Sequence, residues 1–147
     1  MNDDLAALLD EKAIVDVTVA YCWALDTRNW AQLSEVFMPD STARLGTGEQ
    51  RNLAEIVARI STALGHLDDS QHMVTCHQVV LDGDHATSRC YLQAQHIRRA
   101  AEGGANYIVA GRYEDQLVRT GDGWRIKHRD LIVMWTDGNL RVVVPSA

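Results

Sequence analysis

"QHMVTCHQVVLDGDHATSRCYLQAQHI", residues 71–97, decides the fold. Two runs rich in Val, Thr and Ile, residues 71–81 and 86–97, flank the turn signal "DGDH". Strand-forming residues on both sides of a Gly-Asp turn make a β-hairpin. The pattern then repeats: "NYIVAGRYEDQLVR" and "WRIKHRDLIVMW" flank "TGDG" over residues 106–135. The second half therefore reads as a meander of long antiparallel strands, and a short strand around Thr42–Leu45 adds an edge.

Working back from the hairpins, the first half reads helical. Ile14, Val17, Tyr21 and Leu25 recur at spacings of three and four, which predicts an amphipathic helix from Asp10 to Leu25 with Asp10 as N-cap. "NWAQLSEVF" predicts a short second helix, with Asn29 and Gln32 in capping-box spacing and Pro39 beyond it. "NLAEIVARISTALG" predicts a third, with Leu53, Ile56, Val57, Ile60 and Leu64 on one face and Gly65 at its end. Helices first and strands after imply an α+β domain: a strongly curved, mostly antiparallel sheet, cone-shaped, wrapped by about three N-terminal helices around an internal pocket.

The bulk numbers bound the function. A chain of 147 residues is one domain, 1–147, with its core at about 10–135 and a tail at 136–147 that is a candidate lid or subunit contact. Its net charge of −6 argues against nucleic acid or an anionic membrane as partner. An acidic start without a basic leader predicts a cytoplasmic protein. Cys22, Cys76 and Cys90, scattered and outside any CxxC, read as buried unpaired thiols. The late bases Arg112, Arg119, Arg125, Lys127 and Arg129 read as mostly a solvated face.

Asp26 stands apart. It closes an apolar helical stretch, "YCWALD", at the negative end of the helix dipole, where a carboxylate is mildly disfavoured unless a partner holds it. Strand alternation puts His72, Val74 and Cys76 on one face and His77 on the other. Ala94 and His96 share a face with Cys90 and Leu92 in the next strand. If both cysteine faces look inward, His72 and His96 enter the same apolar cavity. A neutral imidazole backed by a carboxylate is a competent general base near neutral pH. That pair suits removal of a proton from carbon.

"YCWALDTRNWAQLSEVF", "SQHMVTCHQVVLDGDHATSRCY", "QAQH" and "GRYEDQLVRTGDGWRIKHR" together resemble the SnoaL-like branch of the nuclear-transport-factor-2-like superfamily. Within it the pattern is similar to scytalone dehydratase, hexachlorocyclohexane dehydrochlorinase and bile-acid 7α-dehydratase. The resemblance implies an Asp–His dyad at Asp26 and His72, with His96, Tyr21 and Arg129 contacting substrate. It implies a lyase or isomerase without cofactor or metal, acting on a small hydrophobic carbonyl or polycyclic substrate. It further implies a homo-oligomer, dimer or trimer. Two tyrosines of scytalone dehydratase are Leu25 and Leu45 here, and its polar pair near the fifth strand falls about Gly111 and Tyr113. Rival readings are polyketide-cyclase-like aldol closure, a non-catalytic small-molecule-binding protein, a dioxygenase-type small subunit, and a metal enzyme using His72, His96 and His128.

Overall fold

The computed structural model describes residues 2–144. Helix α1 (Asp3–Asp26) leads to a 3-10 turn at Trp30–Glu35, strand β1 (Phe37–Arg44) and helix α2 (Leu53–Leu64). Four long strands follow: β2 (Asp69–Asp82), β3 (His85–Ile97), β4 (Asn106–Thr120) and β5 (Gly123–Gly138). A 3-10 turn at Leu140–Val142 comes last. The sheet order is β1-β5-β4-β3-β2; the four long strands pair antiparallel, and β1 joins β5 in parallel. Three helical segments packed on a curved, open, mostly antiparallel sheet make the α+β architecture predicted from the hairpins.

The core forms where the helical stripes meet the inner sheet face. Ile14, Tyr21 and Leu25 of α1 and Ile56, Ile60 and Leu64 of α2 are buried in one cluster with Cys90, Leu92 and Ala94 of β3, with α1 lying on β2 and β5 and α2 on β1. Each such aliphatic side chain contributes roughly 1.5–3 kcal/mol when fully buried. β3 alternates buried and exposed along nearly its whole length, the signature of a sheet with one face on the core.

Four expectations are corrected. The first helix begins at Asp3, capped by the Asn2 side chain, which accepts from the Asp4 N–H at 2.8 Å. Asp10 lies mid-helix and accepts from Arg119 at 2.8 Å and from the Trp124 indole N–H at 3.0 Å. These contacts, Arg119 first, hold its carboxyl at about 2 and pin α1 to the β4–β5 end of the sheet. Asn29 caps no helix with its side chain, because it belongs to the end of α1. Cys76 is exposed, and β2 carries a bulge there: Thr75 faces Tyr91 and Gln78 faces Arg89, with Cys76 at φ +57. The extra residue reverses the alternation. His77 therefore points to the same side as His72, where its Nε2 meets the Thr18 hydroxyl at 2.8 Å. Finally, Arg129 is no part of a solvated face; it is fully buried.

A second irregularity sits at Ala110–Gly111, where β4 slips against β5. A Cβ on Gly111 would run into the Ile132 carbonyl oxygen, so only glycine allows the strands to approach this closely. The described part of the tail docks on the body: Val142 is buried, and its carbonyl lies 3.1 Å from His66 Nε2. Pro145, offered as part of a lid, lies outside the described residues. No helix among those residues is long and apolar enough to cross a membrane.

Candidate active site

The end of α1 explains where Asp26 goes. The Asn29 N–H donates to the Ala24 carbonyl (2.9 Å) and the Arg28 N–H to the Leu25 carbonyl (3.2 Å), with Arg28 at φ +59. This is a Schellman ending with arginine where glycine is usual, a backbone conformation that costs a non-glycine residue about 1 kcal/mol. The tight stop leaves the Asp26 carboxylate facing the first residues of β2, the edge strand.

There it is held by three hydrogen bonds. Oδ1 accepts from His72 Nδ1 at 2.7 Å and from the Ser70 hydroxyl at 3.0 Å; Oδ2 accepts from the His72 backbone N–H at 2.7 Å. Ser70 in turn accepts from Arg28 Nη1 at 2.9 Å. Burial works against the charge on Asp26, but the hydrogen bonds from His72 outweigh it and hold its carboxyl below the usual carboxylate value. An ionised carboxylate can only accept, so Nδ1 of His72 carries the proton and Nε2 presents its lone pair. Among the described residues Nε2 has no protein partner.

His96 stands behind this ring, edge to face, with centroids 5.9 Å apart. Its Nδ1 lies 3.2 Å from the Tyr107 carbonyl, which only accepts. Nδ1–H is therefore the donor, and Nε2 accepts from no group among the described residues. Burial, then the neighbouring His72, push His96 down to about 4, so the ring is neutral at physiological pH. His96 is buried behind His72 and is not among the residues that line the cleft, so its expected contact with substrate is not made directly from the cleft wall.

A cleft of about 1250 Å³ opens beside the dyad, lined by Cys22, Asp26, His72, Val74, Leu92 and Gly111 among others. Tyr91, Gln93 and Trp135, from the opposite sheet face, also reach it. Its rim is exposed and apolar: Trp23 is 64% and Met134 54% accessible. The space is an open cleft, not the internal pocket expected.

Tyr21 and Arg129 do not join the dyad, which corrects their assignment as substrate contacts. α1 runs unbroken to Asp26, so Tyr21 points elsewhere, into the core against Phe37 and Tyr113. Arg129 is fork-bonded to Asp115 at 2.7 and 2.8 Å, and its guanidinium lies between the rings of Tyr21 (4.3 Å) and Tyr113 (3.9 Å). Burial works against its charge, but Asp115 outweighs that and raises Arg129 above the ordinary arginine value. Both are sealed beneath the site. His128, on the opposite sheet face, bonds Thr42 (2.6 Å) and Asp130 (3.0 Å), so it cannot share a metal with His72 and His96. Ser70 and Arg28 were not foreseen. Strand alternation from His72 could have found Ser70; nothing local pointed to Arg28.

A helix-end carboxylate thus fixes an edge-strand histidine beside a cleft on a curved α+β sheet. The chain belongs to the SnoaL-like domain family, whose model matches residues 6–130. An uncharacterized protein of Mycobacterium tuberculosis is 32% identical over 128 residues, covering 85% of this chain and 86% of its own. Among solved structures, one from Novosphingobium aromaticivorans described as an aromatic ring hydroxylase superposes with TM-score 0.82 at 26% identity, covering 92% of this chain and 97% of that one. A protein of the same organism described as a scytalone dehydratase gives 0.81 at 20% identity, covering 96% and 97%. A hexachlorocyclohexane dehydrochlorinase gives 0.81 at 16% identity, covering 91% of each chain. Some neighbours of this fold are thus lyase-type enzymes.

Proposed function

We propose that this protein is a cofactor-independent lyase or isomerase in which His72, oriented by Asp26, removes a proton from carbon of a small hydrophobic substrate. The observation that carries the reading is the 2.7 Å bond from His72 Nδ1 to Asp26, which leaves Nε2 as the free lone pair of a ring that lines the cleft. Asp26 keeps the tautomer and stabilises the imidazolium as it forms. The apolar walls around the cleft suit a hydrophobic carbonyl or polycyclic substrate, or a halogenated ring.

The neutral state of His96 shapes the second half of the reaction. Neutral at physiological pH and set behind the His72 ring, it does not protonate a leaving group. A departing halide needs no proton. Departing water takes the one His72 has just removed. The reading includes self-association over the outer sheet face, where Met73, Tyr91 and Trp135 are exposed.

The test is a thermal-shift screen with hydroxylated polycyclic ketones, terpenoid ketones and chlorinated cycloalkanes, followed by product analysis of the hits. Loss of water or halide supports elimination; a new ring reveals aldol closure. His72→Gln should lower turnover at least ~100-fold with binding retained. Turnover within a few-fold of wild type overturns the proposal.

A further inference from the structure

Two observations around Asp26 are left over by the proton transfer itself. Arg28 occupies a left-handed position that glycine favours, and its guanidinium is spent locally, on the Leu25 carbonyl at 2.9 Å and the Ser70 hydroxyl at 2.9 Å. Ser70, a half-buried hydroxyl, donates its own hydrogen bond to Asp26 Oδ1 at 3.0 Å, the same oxygen that accepts from His72 Nδ1–H.

We infer that Arg28 and Ser70 are positioning residues that set the orientation and basicity of Asp26, and through it the strength of His72 as a base. The inference rests on the lyase reading only for its catalytic consequence. Its physical basis is local. Oδ1 shares its electron density between two donors, and the cation behind Ser70 polarises the hydroxyl toward the carboxylate. Both effects draw negative charge from the oxygen that supports the imidazolium. Removing either makes Asp26 a better acceptor and His72 a stronger base.

The other ionisable groups facing the pair are Cys22 from α1 and His96 from β3. Asp69, beside Ser70 on β2, is exposed and spent on Arg99 at 3.3 Å. Burial pushes the Cys22 thiol up to about 12 and His96 down to about 4. Neither changes charge in the neutral range, so a titration there reports the dyad.

The experiment follows the His72 ring by NMR against pH in the intact protein, which needs no substrate. Ser70→Ala and Arg28→Gly should each move its titration upward by about half a pH unit, and Ser70→Thr, which keeps the hydroxyl, should restore it. Glycine favours the backbone of position 28, so Arg28→Gly removes the guanidinium without straining the turn. Once a substrate is known, the acid limb of kcat/KM should shift the same way. Titrations of both variants that superpose on wild type overturn the inference, whatever the activity. A shifted titration in a protein that turns over none of the screened compounds keeps the inference and counts against the lyase.

Discussion

Two carboxylates in this molecule each hold a nitrogen base, and they have opposite fates. Asp115 and Arg129 are fully buried, fork-bonded and packed between two tyrosine rings. Asp26 and His72 lie at the sheet's edge strand with side chains 18% and 5% accessible, beside a cleft. The arginine of the sealed pair keeps its charge at any pH the protein survives. The open pair joins a carboxylate to the one side chain that can exchange a proton near neutrality. Geometry that looks alike thus serves rigidity in one place and, in the proposed reaction, proton transfer in the other. What separates the two is access and the choice of base.

The sharpest way to break the comparison is to cut each pair once. Arg129→Leu leaves Asp115 buried and uncompensated and should cost about 3–5 kcal/mol in urea unfolding. The double variant Asp115→Leu/Arg129→Met should recover most of that loss. His72→Gln should do the reverse: turnover falls at least ~100-fold while the urea midpoint barely moves. If cutting the sealed pair leaves stability intact, its role as a core element is wrong.

A second, smaller effect separates the histidines of the open site by pH. His96 titrates at about 4 in the folded protein against 6.5 ordinarily. As pH falls below 6.5, the unfolded chain takes up the proton first, so stability is lost progressively down to about 4 and no further from this residue. Urea midpoints across that window should slope upward with pH in wild type and more weakly in His96→Gln. Equal slopes would mean that the ring is not desolvated.

Gly111 sharpens the link between sheet curvature and cleft. Gly111→Ala should cost about 1–3 kcal/mol, because β5 must move off the Ile132 carbonyl contact. Ligand binding should weaken with it, since Gly111 lines the cleft. Smallest in stability, Tyr91→Glu on the outer face should convert the proposed oligomer to monomer by light scattering and, because Tyr91 also reaches the cleft, weaken ligand binding. Unchanged mass would remove that face from the proposed contact.

Much of this was legible in the chain. Period-two alternation around two Gly-Asp turns announced four long strands within one to three residues of their ends, because pleat and turn chemistry are local. The apolar stripe of α1 and the odd placement of Asp26 were equally plain. Other features failed at identifiable residues. Cys76 takes a left-handed backbone that reverses the face of His77, and no rule of alternation anticipates an inserted residue. Arg129 looked like one base among several on a solvated strand.

By itself the sequence determined the class of fold and the candidacy of Asp26, His72 and His96, since periodicity and turn residues act over a few positions. Only the tertiary structure decided which of these groups meet. It drew Ser70 and Arg28 into the circle, removed Tyr21 and Arg129, and set the Nδ1–H tautomer on both imidazoles. Those outcomes depend on partners tens of residues away, and hydrogen bonds at 2.7 Å across such distances leave no local trace.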